Sequence, residues 1–268
     1  APRQFLEVLS GPDRLPFYEG SGRRELALAI ASRTNPLTAR VLVNRLWAHH
    51  FGAGIVSSPD DFGNMSEAPS HPELLDWLAS ELVRTGWDVK AFVRLLVTSR
   101  AYRQESNVTP ELLALDPENK LLARSSRLRL DAEIIRDVAL AASGQLDRSL
   151  GGPPVQPPQP AGLGAFTQSN RDWMASGGGQ RVRRALYTRI QRATLHPALA
   201  VFDAPDTFTT CTRRLRSNTP LQALTLLNDT QFHELALHIA RQMASTQGTD
   251  TDRIAGGFLR CTARHPAP

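Results

Sequence analysis

The sequence predicts a mainly α fold: a multi-helix, bundle-like globular domain with orthogonal packing, a long Gly/Pro-rich loop and little or no β-structure. Three observations carry this. Apolar residues recur at three- and four-residue spacing through 35–104, and again through 131–144 and 229–243. Capping residues and prolines stand where these stretches open, and glycines where most of them close. Strand-like alternation is confined to the neighbourhood of Ala185, Tyr187 and Arg189, where 181–194 reads equally as strand or helix.

Residues before Arg23 are an irregular lead-in with Gly and Pro punctuation. Arg23–Ser32 is a short helix, with Leu26 and Ile30 one turn apart. Asn35 is a good N-cap, and Pro36 suits the first helical position, where a missing N–H costs nothing. Val43, Leu46 and Trp47 follow at helical spacing, Val41 and Leu42 widen the apolar face, and Gly52 and Gly54 supply the stop. Ser57–Pro69, rich in Ser, Asp, Gly and Asn, reads as a surface loop. Ser70 with Glu73 is a capping-box pattern with Pro72 in the first turn. Leu74, Leu78 and Leu82 then share a face, Leu75 and Trp77 lie beside it, and Gly86 ends the helix. Asp88 caps a third helix with the stripe Val89, Phe92, Val93 and Leu96. Three helices with short connections pack as a subdomain, so 35–104 is the core of the N-terminal part.

Residues 105–118 read as a connector, with Asp116 and Pro117 starting a helix through Arg124. Ser125–Arg129 is a basic bridge. Asp131 caps a helix bearing Ile134, Ile135, Val138 and Ala142, stopped by Gly144. Gly151–Gly164 is dominated by Gly and Pro and holds no regular element; Ser176–Gln180 is also flexible. A soft boundary therefore falls between about 150 and 180. The expected organisation is an N-terminal helical part (1–150), a loop or linker (151–180) and a C-terminal helical part (181–268) packing on the first, or all three as one domain. His196–Thr210 reads as loop. Asn218 caps a helix from Thr219 and Pro220 through Leu227, Asp229 caps a longer one with the face Phe232, Leu235, Ile239 and Met243, and Asp252–Thr262 is a last helix weakened by Gly256 and Gly257.

With 268 residues and 6% aromatics, the core must be mainly Leu, Val, Ile and Ala. The net charge is +5, and the cations are nearly all Arg, Lys90 and Lys120 being the only lysines. Arg and carboxylates are interspersed, which favours intramolecular pairing over a nucleic-acid surface, and no basic helix or nucleic-acid motif is visible. Cys211 and Cys261 allow one bridge or two free thiols. No run is apolar and long enough to span a bilayer. C-x-x-C-H, the Walker lysine loop and G-x-G-x-x-G are all missing, so no cofactor is assigned to this segment.

Several constellations bear chemistry. Arg40, Asn44 and Trp47 lie on adjacent turns, as an anion or carbonyl grip or as a buried network tying the helix to the next loop; Arg136 and Arg184 complete the candidate binding set. Asp61 and His71, near Asp60 and Glu73, are metal-ligand types at one loop–helix junction, with no recognised metal spacing. Glu133 and Asp137 are four residues apart, so both could face one cavity as an acid/base pair, with Arg136 three residues from Glu133 to neutralise it. His71, Glu133 and Asp137 are thus the catalytic candidates. Cys211 stands beside Arg213 and Arg214, cations that favour thiolate.

The motifs N-P-L-T-A-R-V-x-V-N-R-x-W (35–47), F-G-x-G-I-V (51–56), D-F-G (61–63), S-H-P-E-L-L-D-W-L-A (70–79) and Y-R-Q (102–104) occur in order. L-x-A-E-x-x-R-D (130–137), G-G-P (151–153), R-R-x-L-Y (183–187), F-D-A-P (202–205) and S-N-T-P-L-Q-A-L-T-L-L-N (217–228) follow. In these the chain resembles the planctomycete-type domain of unknown function 1553, also called the PSD-one domain, over nearly its whole length. The resemblance implies the C-terminal region of a long secreted protein, hence extracytoplasmic residence, with c-type haem on a separate domain and the neighbouring domains of the same polypeptide as partners. On that reading the segment is a truncated interior piece. It implies no chemistry. The expected function is a non-catalytic interaction or scaffold domain; the alternative is a hydrolase of an extracellular polymer using a carboxylate/His cleft, and the third reading is nucleic-acid binding. A pocket joining Arg40, His71, Asp131 and Glu133 would favour the enzyme.

Overall fold

The computed structural model describes residues 2–160, 173–191 and 194–267. Among them are eleven α-helices, two 3-10 turns and only isolated β-bridges, so the fold is mainly α as the sequence predicts. The chain divides into two compact units, Ala1–Leu128 and Arg129–Pro268.

The first unit holds α1 (Glu7–Ser10), α2 (Arg23–Ile30), α3 (Thr38–Phe51), α4 (Pro72–Arg84), α5 (Val89–Thr98) and α6 (Pro110–Leu115). Its core is the seam of α3, α4 and α5: Val43, Trp47, Leu78, Leu82, Phe92 and Leu96 are all buried, with Ile55 and Val56 of the following loop. Burying each large side chain contributes about 1.5–3 kcal/mol. Trp47 stacks on Phe51 at 3.9 Å between centroids, and Tyr102 meets Phe51 edge-on at 5.7 Å.

Several boundaries differ from expectation. α3 starts at Thr38, because Asn35 Oδ1 takes the Leu37 amide at 2.9 Å in a tight turn before the helix. The capping box at Ser70 and Glu73 does not form. Pro72 takes the first helical position, which makes His71 the N-cap, and the Ser70 hydroxyl donates instead to the Ile55 carbonyl at 3.3 Å. Trp77 is exposed. Asp88 caps α5 as expected, accepting from Ala91 N at 3.0 Å. The connector contains α6, capped by Thr109 with Pro110 behind it. No helix runs from Asp116 to Arg124. That segment winds around the buried Asp116 carboxylate, which accepts from Lys120 N (2.8 Å) and Leu121 N (2.7 Å), and it places Asn119 and Leu122 in the left-handed region that a helix excludes.

The second unit holds α7 (Ala132–Ala142), α8 (Pro197–Val201), α9 (Pro220–Asn228), α10 (Thr230–Ser245) and α11 (Asp250–Thr262), with 3-10 turns at Gly178–Val182 and Ala185–Tyr187. Ala132, Ala198, Leu199, Phe202 and Phe232 form its core. α7 turns a partly unexpected face inward: Ala132, Arg136 and Leu140 are buried and Ile135 packs against the core, while Ile134 and Val138 stay exposed. α8 lies within the stretch expected to be loop. Thr219, one residue past Asn218, caps α9 in a capping box with Gln222. α11 is likewise capped by Thr249 with Asp252, and at Gly257 an added Cβ would lie 2.5 Å from Met243 Sδ, so α10 and α11 approach closely.

The Gly/Pro-rich stretch and the soft boundary expected at 150–180 fall within this unit; residues 161–172 of them, and 192–193 of the ambiguous stretch, lie outside the described residues. The described part of the Pro-rich stretch is fastened by a parallel bridge, with Val155 N donating to Tyr187 O (2.8 Å) and Arg189 N to Val155 O (2.7 Å). The glycines expected to be flexible open the first 3-10 turn.

Candidate functional site

The N-terminal turns of α7 gather most of the polar candidates, and each goes its own way. Glu133 and Asp137 do not share a cavity as an acid/base pair. Glu133 faces the 211–216 segment, where Arg214 meets it bidentately at 2.6 and 3.1 Å. Burial is the largest single influence on Glu133 and opposes its ionisation, but the Arg214 hydrogen bonds, its own backbone amide and the Arg214 charge together hold its carboxyl below the usual range. Asp131 stands 3.7 Å from both Arg214 and Arg216. Asp137 instead accepts the Ala185 amide at 2.6 Å, with Arg184 Nε 3.7 Å away.

Arg136 does not neutralise Glu133, because it lies on the inward face of α7. Its Nε donates to Gln231 Oε1 (3.1 Å), Nη1 to the Arg183 carbonyl (2.8 Å) and Nη2 to the Arg181 carbonyl (2.7 Å). Burial draws its pKa down to about 10, with Asp137 acting the other way, so it stays charged at neutral pH. A buried guanidinium thus ties α7, α10 and the 181–185 segment together.

Two further knots were not predicted as sites. The Asp203 carboxylate accepts from Arg129, from the Ser217 amide (2.8 Å) and from the Ser217 hydroxyl (2.8 Å). Those Ser217 hydrogen bonds, backed by Arg129, hold its pKa low. Arg183 stacks 3.9 Å over the Tyr187 ring and donates to the Gly151 and Pro153 carbonyls, while Tyr187 Oη accepts from Gly151 N (2.7 Å). Among the described residues, the Arg183 Nε is buried without a hydrogen-bond partner. The sequence signal for these knots is that Asp203, Ser217, Arg183, Tyr187, Gly151 and Pro153 fall in the motifs quoted above, while Arg129 stands just before one of them.

His196 is buried, with Nε2 donating to the Pro158 carbonyl at 3.0 Å and the Trp173 ring 5.8 Å away. A carbonyl only accepts, which fixes the tautomer. Burial lowers the His196 pKa; the Pro158 hydrogen bond opposes this, the Arg136 charge adds to it, and Asp229 opposes it again. With the native pKa depressed, this stabilisation is complete above the unfolded-state value near 6.5 and is lost as pH falls through the native one. Melting temperatures of the wild type are expected to fall as pH drops from about 7.5 to about 5. His196→Gln, which keeps a donor and cannot protonate, is expected to flatten that limb; parallel profiles in both proteins would refute it.

In the first unit, Arg40 pairs with Asp76 at 2.6 Å and donates to the Pro36 carbonyl, beside a cavity of about 220 Å³ also lined by Glu67 and Phe62. Asn44 is fully buried; its Nδ2 donates to Val56 O (3.0 Å) and its Oδ1 accepts Val56 N (2.9 Å). Trp47 is a core residue. His71 Nδ1 lies 3.1 Å from Ser70 Oγ, and Asp61 accepts from Gly63 N at 2.7 Å within its own turn. Among the described residues no three His, Cys, Asp or Glu side chains gather as a metal group. Cys211 and Cys261 are free and exposed. Arg40 and His71 belong to the first unit, Asp131 and Glu133 to the second.

No helix among the described residues is long and apolar enough to cross a membrane. Searches of curated proteins and of solved structures find no match to the chain. The family profile PSD1, described as protein of unknown function (DUF1553), matches residues 22–268, and the chain belongs to that family.

Proposed function

We propose that this chain is a non-catalytic interaction module of a larger extracytoplasmic protein, which carries c-type haem on a separate domain, and that it docks the neighbouring domains of its own polypeptide. The observation that most supports this reading is how the polar side chains are engaged. Glu133, Arg136, Asp137 and Asn44 bind other segments of the chain itself, largely backbone groups, and leave little capacity for a substrate. Acid/base hydrolysis needs two carboxyls whose pKa values are pushed apart, one of them upward. Glu133 is pulled downward by Arg214.

Two measurements test the proposal. Calorimetric titration of the chain with the remainder of its parent polypeptide is expected to give saturable binding. Incubation with extracellular polysaccharide or peptide polymers is expected to release no product. Hydrolysis by the wild type that disappears in His71→Ala, a half-exposed side chain outside the core, would replace the proposal with the hydrolase reading.

A further inference from the structure

α9 is built inside out. The residue it buries is Gln222, 5% exposed, whose Nε2 donates to the Val201 carbonyl and to Ser217 Oγ, both at 3.0 Å. Its leucines point the other way: Leu221, Leu224 and Leu227 are 58%, 53% and 73% exposed, and Leu226 is exposed too. At 3.6 residues per turn these positions, with Ala223, cover more than half of the helix circumference. No charged side chain interrupts α9. A helix apolar over so wide an arc is ordinarily covered, and an apolar patch of this kind marks an interaction surface. The segment leading into it adds exposed Leu215 and exposed Arg213.

Charge selects the occupant. Residues 129–268 hold 16 arginines against 11 Asp and Glu, whereas 1–128 hold 15 cations and 15 anions, so the whole net charge of +5 belongs to the unit that carries α9. A second copy would bring like charge against like charge; an anionic surface would be attracted. We infer that α9, with Leu215 and Arg213, docks the second unit on an anionic phospholipid bilayer, its leucines entering the headgroup boundary and Arg213 facing lipid phosphates. Both terms of interfacial binding are then present: buried apolar area and attraction to anionic lipid. This inference does not depend on the docking of neighbouring domains proposed above.

Co-flotation of the full chain with vesicles tests it. The chain is expected to float with vesicles of phosphatidylglycerol and phosphatidylethanolamine and to bind pure phosphatidylcholine vesicles far more weakly. The double variant Leu224→Gln/Leu227→Gln keeps the net charge and removes only exposed side chains, so its circular dichroism and melting should match the wild type. Its binding to the anionic vesicles is expected to drop roughly tenfold or more. Ile254→Gln, an exposed residue of α11, is expected to leave binding unchanged. Absence of flotation with the anionic vesicles, or equal flotation of the double variant, overturns the inference. So does a dimer in sedimentation velocity that the double variant dissolves, which would assign the surface to a second copy.

Discussion

Arg136→Met is expected to lower the stability of the second unit by about 4 kcal/mol. Three hydrogen bonds from a charged donor disappear together, and such bonds contribute roughly 1.5–3 kcal/mol each before compensation. The acceptors left behind are the Arg181 and Arg183 carbonyls and the Gln231 amide oxygen, held by segments that the guanidinium joins. Methionine fills much of the volume and recovers part of the loss through apolar burial. Arg136→Lys keeps the charge but offers one compact ammonium in place of a planar fork, so about half of the loss is expected to remain. Thermal and urea melts measure both variants. A change below about 1 kcal/mol for Arg136→Met would mean that the buried cation contributes nothing net, as some buried charges do.

Asn44→Ala is expected to cost the first unit about 3 kcal/mol. The amide serves both the N–H and the carbonyl of Val56, and its removal leaves two buried backbone groups unpaired beside a small void. Asn44→Asp makes the sharper test. The carboxylate can still accept from Val56 N but cannot donate to Val56 O, and burial disfavours its charge. Its native pKa therefore rises above the unfolded value near 3.9, and the native state binds the extra proton. Stability then falls as pH rises through that interval, so the variant is expected to lie closer to wild type at about pH 4 than at about pH 7. A deficit that is equal at both values would show that Asn44 acts through volume alone.

These two residues also show what a sequence makes legible. Asn44 sits between Val43 and Trp47 on the face that periodicity turns inward, and a buried network linking α3 to the next loop is one of the two readings its position allows. The caps at Asp88 and Asp229 are legible for the same reason: the amides that donate to them lie two or three residues away. Arg136 is not legible in this way. Apolar periodicity assigns the buried face of α7 to Ile134, Ile135, Val138 and Ala142, of which Ile135 packs against the core, but the protein also buries Arg136 because acceptors 45, 47 and 95 residues distant meet its guanidinium. Two of those acceptors are backbone carbonyls, which carry no side-chain signature. Glu133 and Arg214 are 81 residues apart, so local spacing pairs Glu133 with the wrong arginine. The short helices α6 and α8 begin with Pro at the first position, but they are too brief for a periodic stripe to stand out.

The reach of these ties separates how the two units assemble. In the first unit, Asn44 closes a 12-residue interval and Arg40 to Asp76 one of 36. In the second, Arg129 reaches 88 residues to Ser217 and Gln242 reaches 99 residues back to Ser143. Loop-closure entropy must be met before such distant contacts return anything, and folding slows as mean contact separation grows. During synthesis the first unit can close soon after it emerges from the ribosome, whereas the second waits until α10 has been made and can supply Gln231 to Arg136 and Gln242 to Ser143.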